Sequence, residues 1–190
     1  MNQEVKRKVV SIERGLPGLR GTDHVGITVP DIEQATDFFV NVLGCEQFYD
    51  LGPFQATDDW MTKHLNVHPR TVMKKLRFFR CKNGSNYEVF EYEAPEQKTS
   101  PPLNSDVGGH HLALYVDNIE EAVDFLKSNK IKVLGEPTVR SEGPSAGQSW
   151  VYFLAPWGLQ FELVSFPGGK GYEKDTSSRL WHPANRSFDQ

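Results

Sequence analysis

Two histidines and two glutamates occupy matching places in two similar stretches of this 190-residue chain. "HVGITVPDIEQATDFF" lies over "HLALYVDNIEEAVDFL" without a gap, so His24 falls on His111, Glu33 on Glu120, Asp37 on Asp124 and Phe38 on Phe125. Further along, "GSNYEVF" falls on "GLQFELV", which pairs Gly84 with Gly158 and Glu88 with Glu162. Neutral imidazoles and carboxylates together make a mixed nitrogen and oxygen donor set. That set suits Ni, Co, Mn, Zn or Fe as a divalent ion and does not suit calcium or a thiolate site. A carboxylate inside an apolar strand is costly unless it is paired or holds a cation. Either residue type alone reads as an edge glutamate facing solvent or a hydrogen-bonded core histidine. Recurrence of all four at equivalent positions is what favours ligation. Four protein ligands would leave an octahedral ion two positions, enough for two neighbouring oxygens of a substrate.

The elements that must position these residues recur in the same order. In each half a strand is followed by a helix and then three strands, as expected of an internal duplication. In the first strand Val25, Ile27 and Val29 share one face, and His24, Gly26 and Thr28 the other, because side chains alternate along a strand. In the second copy Leu112, Leu114 and Val116 oppose His111, Ala113 and Tyr115. The aliphatic face needs the apolar stripe of the following helix as its cover. The histidine face then lines the concave side of a curved sheet. His110 lies on the other face from His111, and its counterpart is Asp23, so it reads as a bystander. The first helix is expected over "DIEQATDFFVNVLG", capped by Gly44. The turn "KNGS" joins two strands of the first half. The organisation expected is an N-terminal extension over 1–20, a module over 21–93 with an insert at 52–74, a Pro-rich linker over 94–106, a second module over 107–166, and a polar tail over 167–190.

Weaker candidates for substrate contact follow from the same faces: Thr28 and Tyr115 on the concave side, and one of Arg77 and Arg80, which lie on opposite faces of the third strand. Gln148 and Trp150 stand in the glycine-rich "GPSAGQSWVYF", where a loop beside the site is one reading and an ordinary hairpin approach another. His64 and His68 in the insert are four apart, but Pro69 argues against a metal pair on one helical face. His182 reads as a surface residue.

The net charge of −4 gives no electrostatic reason to expect nucleic acid. No apolar run approaches the ~20 residues that span a bilayer, and the N-terminal stretch lacks a signal-like apolar segment, so a cytoplasmic protein without a membrane partner is expected. Cys45 and Cys81 have no metal-type spacing; free thiols are preferred here over a disulfide.

The chain resembles the vicinal oxygen chelate superfamily over residues 21–93 and 108–166. "DHVGITVPDIEQATDFFVNVLG" is similar to that family's opening element and "APWGLQFELV" to its closing hairpin. The resemblance implies an α+β fold of two βαβββ modules, forming a cup-shaped, eight-stranded mixed sheet with helices outside. It implies a divalent ion held by His24, Glu88, His111 and Glu162, and a homodimer. It also implies chemistry on a small carbonyl substrate through proton abstraction and an enediolate, with Glu162 the first choice of base and Glu88 the second. The four-residue set is similar to that of bacterial glyoxalase I. Thr28 and Tyr92, however, stand where that branch carries its glutathione-binding arginine and asparagine. The opening element is closer to methylmalonyl-CoA epimerase, which often has glutamine at the place of Glu88. The resemblance therefore implies an isomerase, epimerase or lyase. An Fe(II) extradiol dioxygenase and a non-catalytic, resistance-type binding protein are the alternatives.

Overall fold

The structure is a computed structural model that describes residues 16–83 and 85–184. Gly84 of the second matched motif and most of the N-terminal extension lie outside the described residues. The first half contains β1 (His24–Val29), α1 (Ile32–Asp37), β2 (Glu46–Leu51), α2 (Trp60–Leu65), β3 (Val72–Cys81) and β4 (Ser85–Glu93). The second contains β5 (Leu112–Tyr115), α3 (Ile119–Ser128), β6 (Lys132–Val139), β7 (Ser149–Leu154) and β8 (Gln160–Ser165). The eight strands are hydrogen-bonded as two sheets of four, ordered β1-β4-β3-β2 and β5-β8-β7-β6. In each sheet the first pair is parallel and the other two are antiparallel. The α+β class and the βαβββ order expected from the sequence are thus present, with the strands split between two ladders.

α1 and α3 start where a side chain satisfies free amides of the first turn. Asp31 accepts from the amides of Glu33 and Gln34, and Asn118 from that of Glu121. The first helix is not the uniform α-helix expected. After Asp37 it widens into a π-turn over Phe38–Val42, where the Leu43 amide donates to the Phe38 carbonyl at 3.0 Å. Phe38 and Phe39 are both almost wholly buried. In an α-helix adjacent side chains diverge by about 100°; the wider turn accommodates two consecutive rings in one core. Phe39 stacks on Phe79 and touches Tyr87 in its own half, while Phe38 packs on Trp157 and Phe161 in the other. One core therefore runs under both sheets.

The 52–74 insert holds the short α2, which buries Met61 and ends at Asn66 in a left-handed conformation. β3 begins at Val72, inside the range assigned to the insert. The helix stops at Leu65, so His64 and His68 do not share a helical face. His64 Nδ1 lies 3.1 Å from the Trp60 carbonyl, and His68 Nδ1 accepts from the Arg70 amide.

The preference for free thiols is overturned: Cys45 and Cys81 form a disulfide, with their Cα atoms 4.2 Å apart. The cause is strand register. Glu46 pairs with Arg80 in the β2–β3 ladder, which brings the two cysteines opposite one another at its end.

Arg77 is also not where its substrate-contact reading requires. Its side chain is 7% exposed and lies on the helix side of β3. The guanidinium donates to both oxygens of Asp50 at 2.7 Å, to Glu33 at 3.0 Å and to Thr36 at 2.6 Å. Arg77 thus ties β2 and α1 to β3 and takes no part in the cup. Its hydrogen bonds hold the Asp50 and Glu33 carboxyls below their ordinary pKa values of 3.8 and 4.5. Folded values below the unfolded ones mean that this stabilisation is complete above about pH 4.5 and is lost as pH falls. Arg77→Met is expected to cost about 2 kcal/mol at neutral pH, a figure reduced because Glu33 is largely exposed. Urea unfolding at pH 7 and near pH 3 should show the gap between variant and parent shrinking at the lower pH.

Candidate metal centre and active site

The two histidine–glutamate pairs form, each in its own sheet. His24 Nε2 lies 3.1 Å from Glu88 Oε2, and His111 Nε2 lies 3.0 Å from Glu162 Oε2. The ladders explain why. Glu88 pairs with Gly26 and Glu162 with Ala113 across the parallel β1–β4 and β5–β8 contacts. In both halves the histidine stands two residues before a small residue that faces the glutamate, so the two functional groups share a face and nothing bulky separates them. The opposite face of β1 is the buried one, with Ile27 and Val29 in the core.

Each imidazole is also held from behind. Nδ1 of His24 is 2.8 Å from Asp23 Oδ2, and Nδ1 of His111 is 3.2 Å from Asn104 Oδ1. A proton on Nδ1 fixes the tautomer and leaves Nε2 as the donor atom, the arrangement found behind ligating histidines. The hydrogen bond to Asp23, with the nearby Glu88 charge, raises the His24 pKa against the effect of burial. Burial raises the Glu162 pKa, and the neighbouring His111 and Lys170 counter it.

The donor set fits a divalent ion pair by pair. Two donors at right angles, each about 2.1 Å from an ion, stand about 3.0 Å apart, the spacing already present in both pairs. Among the described residues no three His, Cys, Asp or Glu side chains are gathered for a single ion. The structure presents two separate histidine–glutamate pairs, one in each sheet.

The other sequence candidates divide. Thr28 is exposed on the His24 face. Trp150 and Tyr152 stand on the Glu162 side of β7, 5.1 Å apart, and the Tyr152 ring lies 5.2 Å from His111. Gln148 is fixed through its backbone in the β6–β7 loop, its amide donating to Ser145 and its carbonyl accepting from Arg140. Arg80 is spent on Glu46 at 2.7 Å and on the Phe48 ring. His110 is exposed, with Nδ1 3.0 Å from the Gly108 carbonyl and no contact with Glu162.

Sequence reasoning missed Asp23 and Asn104 as partners of the histidines, and missed the aromatic wall made by Phe78, Phe90 and Tyr92. Phe78 lies 5.6 Å from His24, and Phe90 stacks on Tyr92 two rungs from Glu88. Alternation along β4 from Glu88 contains the signal for the last two. Asn104 had none, because its contact depends on how the linker folds.

The profile of the Glyoxalase/Bleomycin resistance protein/Dioxygenase superfamily matches residues 23–153. The chain belongs to that superfamily. A 2-epi-5-epi-valiolone epimerase from Actinomyces sp. is 43% identical over 171 residues, covering 90% of this chain and 92% of that protein. The mitochondrial methylmalonyl-CoA epimerase of Bos taurus is 30% identical over 128 residues, covering 60% and 57%. Among solved structures, a glyoxalase family protein from Enterococcus faecalis superposes with a TM-score of 0.55 at 21% identity, over 77% of this chain and 98% of that one. The fosfomycin resistance protein FosX of Listeria monocytogenes, solved with Mn(II) and sulfate, superposes with a TM-score of 0.50 at 18% identity, over 83% and 99%. The fold of the superfamily is therefore the fold of this chain, its members include proteins solved with a divalent metal, and the relatives by sequence include epimerases. Among the described residues no helix is long and apolar enough to cross a membrane.

Proposed function

We propose that this chain is a divalent-metal-dependent epimerase that inverts a carbon next to a carbonyl in a small molecule. The observation that carries the reading is the repeated pair: imidazole Nε2 against carboxylate oxygen at 3.1 and 3.0 Å, each imidazole backed at Nδ1. The 43% identity to an epimerase supports the reaction type. His24, Glu88, His111 and Glu162 would hold the ion, the two pairs serving one site. When bound, such an ion polarises the substrate carbonyl and acidifies the adjacent C–H.

The chain's own groups supply the proton traffic. Glu162 is the base: its side chain is 11% exposed, and a pKa raised by burial makes it a better proton acceptor near neutrality. Glu88, at 20% exposure, faces the substrate position from the other half and returns the proton to the opposite side. A two-base epimerisation uses proton-handling groups on opposite faces, and one carboxylate from each module would supply them. Phe78, Phe90 and Tyr92 on one side and Trp150 and Tyr152 on the other would limit water around the carbanion. Incubation in deuterated buffer with 2-epi-5-epi-valiolone is the first assay. Deuterium should enter the position beside the carbonyl, and a chelator should stop it. A metal-loaded protein that exchanges no deuterium into this or any other carbonyl compound tested would remove the reading.

The homodimer belongs to the same proposal. β2 is a free sheet edge exposed along all six residues, with Phe48 and Leu51 more than half exposed, and such an edge is a template for pairing. Light scattering should give twice the 21.6 kDa chain mass, and Phe48→Glu should shift it towards the monomer.

A further inference from the structure

Two segments outside the modules reach the second sheet. The C-terminal segment, patternless as a sequence, crosses the molecule as a strap. The amides of Gly171 and Tyr172 donate to the carbonyls of Ala146 and Pro144 at 2.9 Å, and His182, expected on the surface, packs between Tyr115 and Phe166 with ring centroids at 4.4 and 4.9 Å. The other segment is the linker, and it reaches His111.

The two imidazoles are backed by different means. Asp23 precedes His24 directly, and its carbonyl accepts from the Asn86 side chain at 3.0 Å, so the first backing is held inside the β1–β4 contact. The corresponding place before His111 is taken by His110, whose Nδ1 faces the Gly108 carbonyl. The partner behind His111 is Asn104, seven residues away in the linker.

Asn104 stands in a double turn. The Asp106 amide donates to the Leu103 carbonyl at 2.9 Å, and the Gly109 amide to the Asp106 carbonyl at 2.8 Å. The Asp106 side chain closes the first turn a second time by accepting from the Leu103 amide at 2.9 Å. Gly108 carries the second turn at a φ of 89°, a left-handed position that favours glycine. Gly109 lies tight beneath the first: a Cβ there would overlap the Leu103 carbonyl oxygen and stand 2.8 Å from that of Asp106. Burial does not explain the shape, since Leu103 is 71% exposed and Val107 wholly so. Backbone closure by Asp106 and Gly109 is what places Asn104.

The two backings also differ in charge. The Asp23 carboxylate makes the shorter, charge-assisted contact at 2.8 Å, and the neutral Asn104 amide the longer one at 3.2 Å. A partner behind a ligating imidazole raises its basicity as a ligand, so His24 is the stronger donor and His111 the weaker. That difference suits a pair whose carboxylate, Glu162, is the one that takes up a proton.

We propose that Asp106 and Gly109 are positioning residues of the second pair: they fold the linker so that Asn104 backs His111, and the neutral amide makes this pair the looser of the two holds on the ion. The proposal rests on the shared-ion reading, and one arm of its test needs no ion. In the metal-free full chain, the hydrogen-bonded ring N–H of His111 should give a proton resonance, assigned by its absence from His111→Ala. Gly109→Ala, Asp106→Ala and Asn104→Ala should each remove it, while that of His24 stays. In the other arm cobalt(II) is titrated into the same proteins. Gly109→Ala and Asn104→Ala should each weaken binding by about 10–100-fold, and the double variant by no more than the larger single effect, because both act through one contact. Asn104→Asp should hold cobalt(II) more tightly than the parent. Circular dichroism checks folding, and Asp106→Ala, at an exposed position, carries the test if Gly109→Ala does not fold. A His111 resonance that survives in both turn variants, undiminished cobalt(II) affinity in both, or weaker binding by Asn104→Asp would overturn the proposal. Loss of the resonance in variants of a parent that binds no cobalt(II) would remove the shared-ion reading and leave the positioning role standing.

Discussion

Glu162→Gln is expected to slow the exchange of the substrate's hydrogen with deuterated solvent by about 10²–10⁴-fold, the usual contribution of a positioned base. The substitution keeps the shape of the side chain and one oxygen that could still hold the ion, so metal content measured beside the rate separates loss of basicity from loss of the ion. The effect should carry a pH signature. Burial lifts the Glu162 pKa above its ordinary 4.5, and a base must be unprotonated to act. The rate on the parent protein should therefore fall as pH drops through that raised value, and in the variant only the fall caused by protonation of the ligating imidazoles should remain. Glu88→Gln should also reduce net epimerisation but should leave more of the exchange from one face, because removal of the proton from the Glu162 side remains possible. Full exchange by Glu162→Gln together with its loss in Glu88→Gln would transfer the role of base to Glu88.

Metal content gives the second large effect. Protein purified without added metal should carry about one divalent ion per chain, and both His24→Ala and His111→Ala should lose nearly all of it. His110→Ala should keep it, because that ring is turned to the Gly108 carbonyl. Asp23→Ala and Asn104→Ala should weaken metal affinity by about 10–100-fold, the usual cost of removing the partner behind a ligating imidazole. Elemental analysis after dialysis measures all five. Two ions per chain, with each histidine variant losing only one, would mean that the pairs act separately and would refute a shared site.

The sequence made the site's faces legible because β-strand alternation is a local property. Once His24 was matched with His111, the parity of each strand decided which neighbours lined the cup and which entered the core, and Ile27, Val29 and Phe161 are buried accordingly. Long-range choices were not local. Arg77 has the parity of the core face, yet its charge made it look like a ligand-binding residue. Only the approach of Asp50 from β2 and Glu33 from α1 turns it into a structural tie. The cysteines are 36 residues apart in sequence, and their meeting follows from a ladder register that no single strand encodes. The π-turn was hidden because Phe38 and Phe39 satisfy a helical pattern equally well until the core on both sides is known. Asn104 and the strap depend on loop paths, where hydrogen-bond partners come from distant chain.

Because no ladder joins the two sheets, the gap between the half-sites is set by side-chain packing at Phe38, Trp157 and Phe161. Phe161 is the immediate neighbour of Glu162. The two pairs therefore resemble the jaws of a vice whose pivot is an aromatic knuckle on the far side of the sheets. Packed rings admit small sliding adjustments that a continuous hydrogen-bonded sheet resists. If the two pairs share an ion as proposed, substitutions in this core would alter the spacing between them without touching any of the four residues that would hold it.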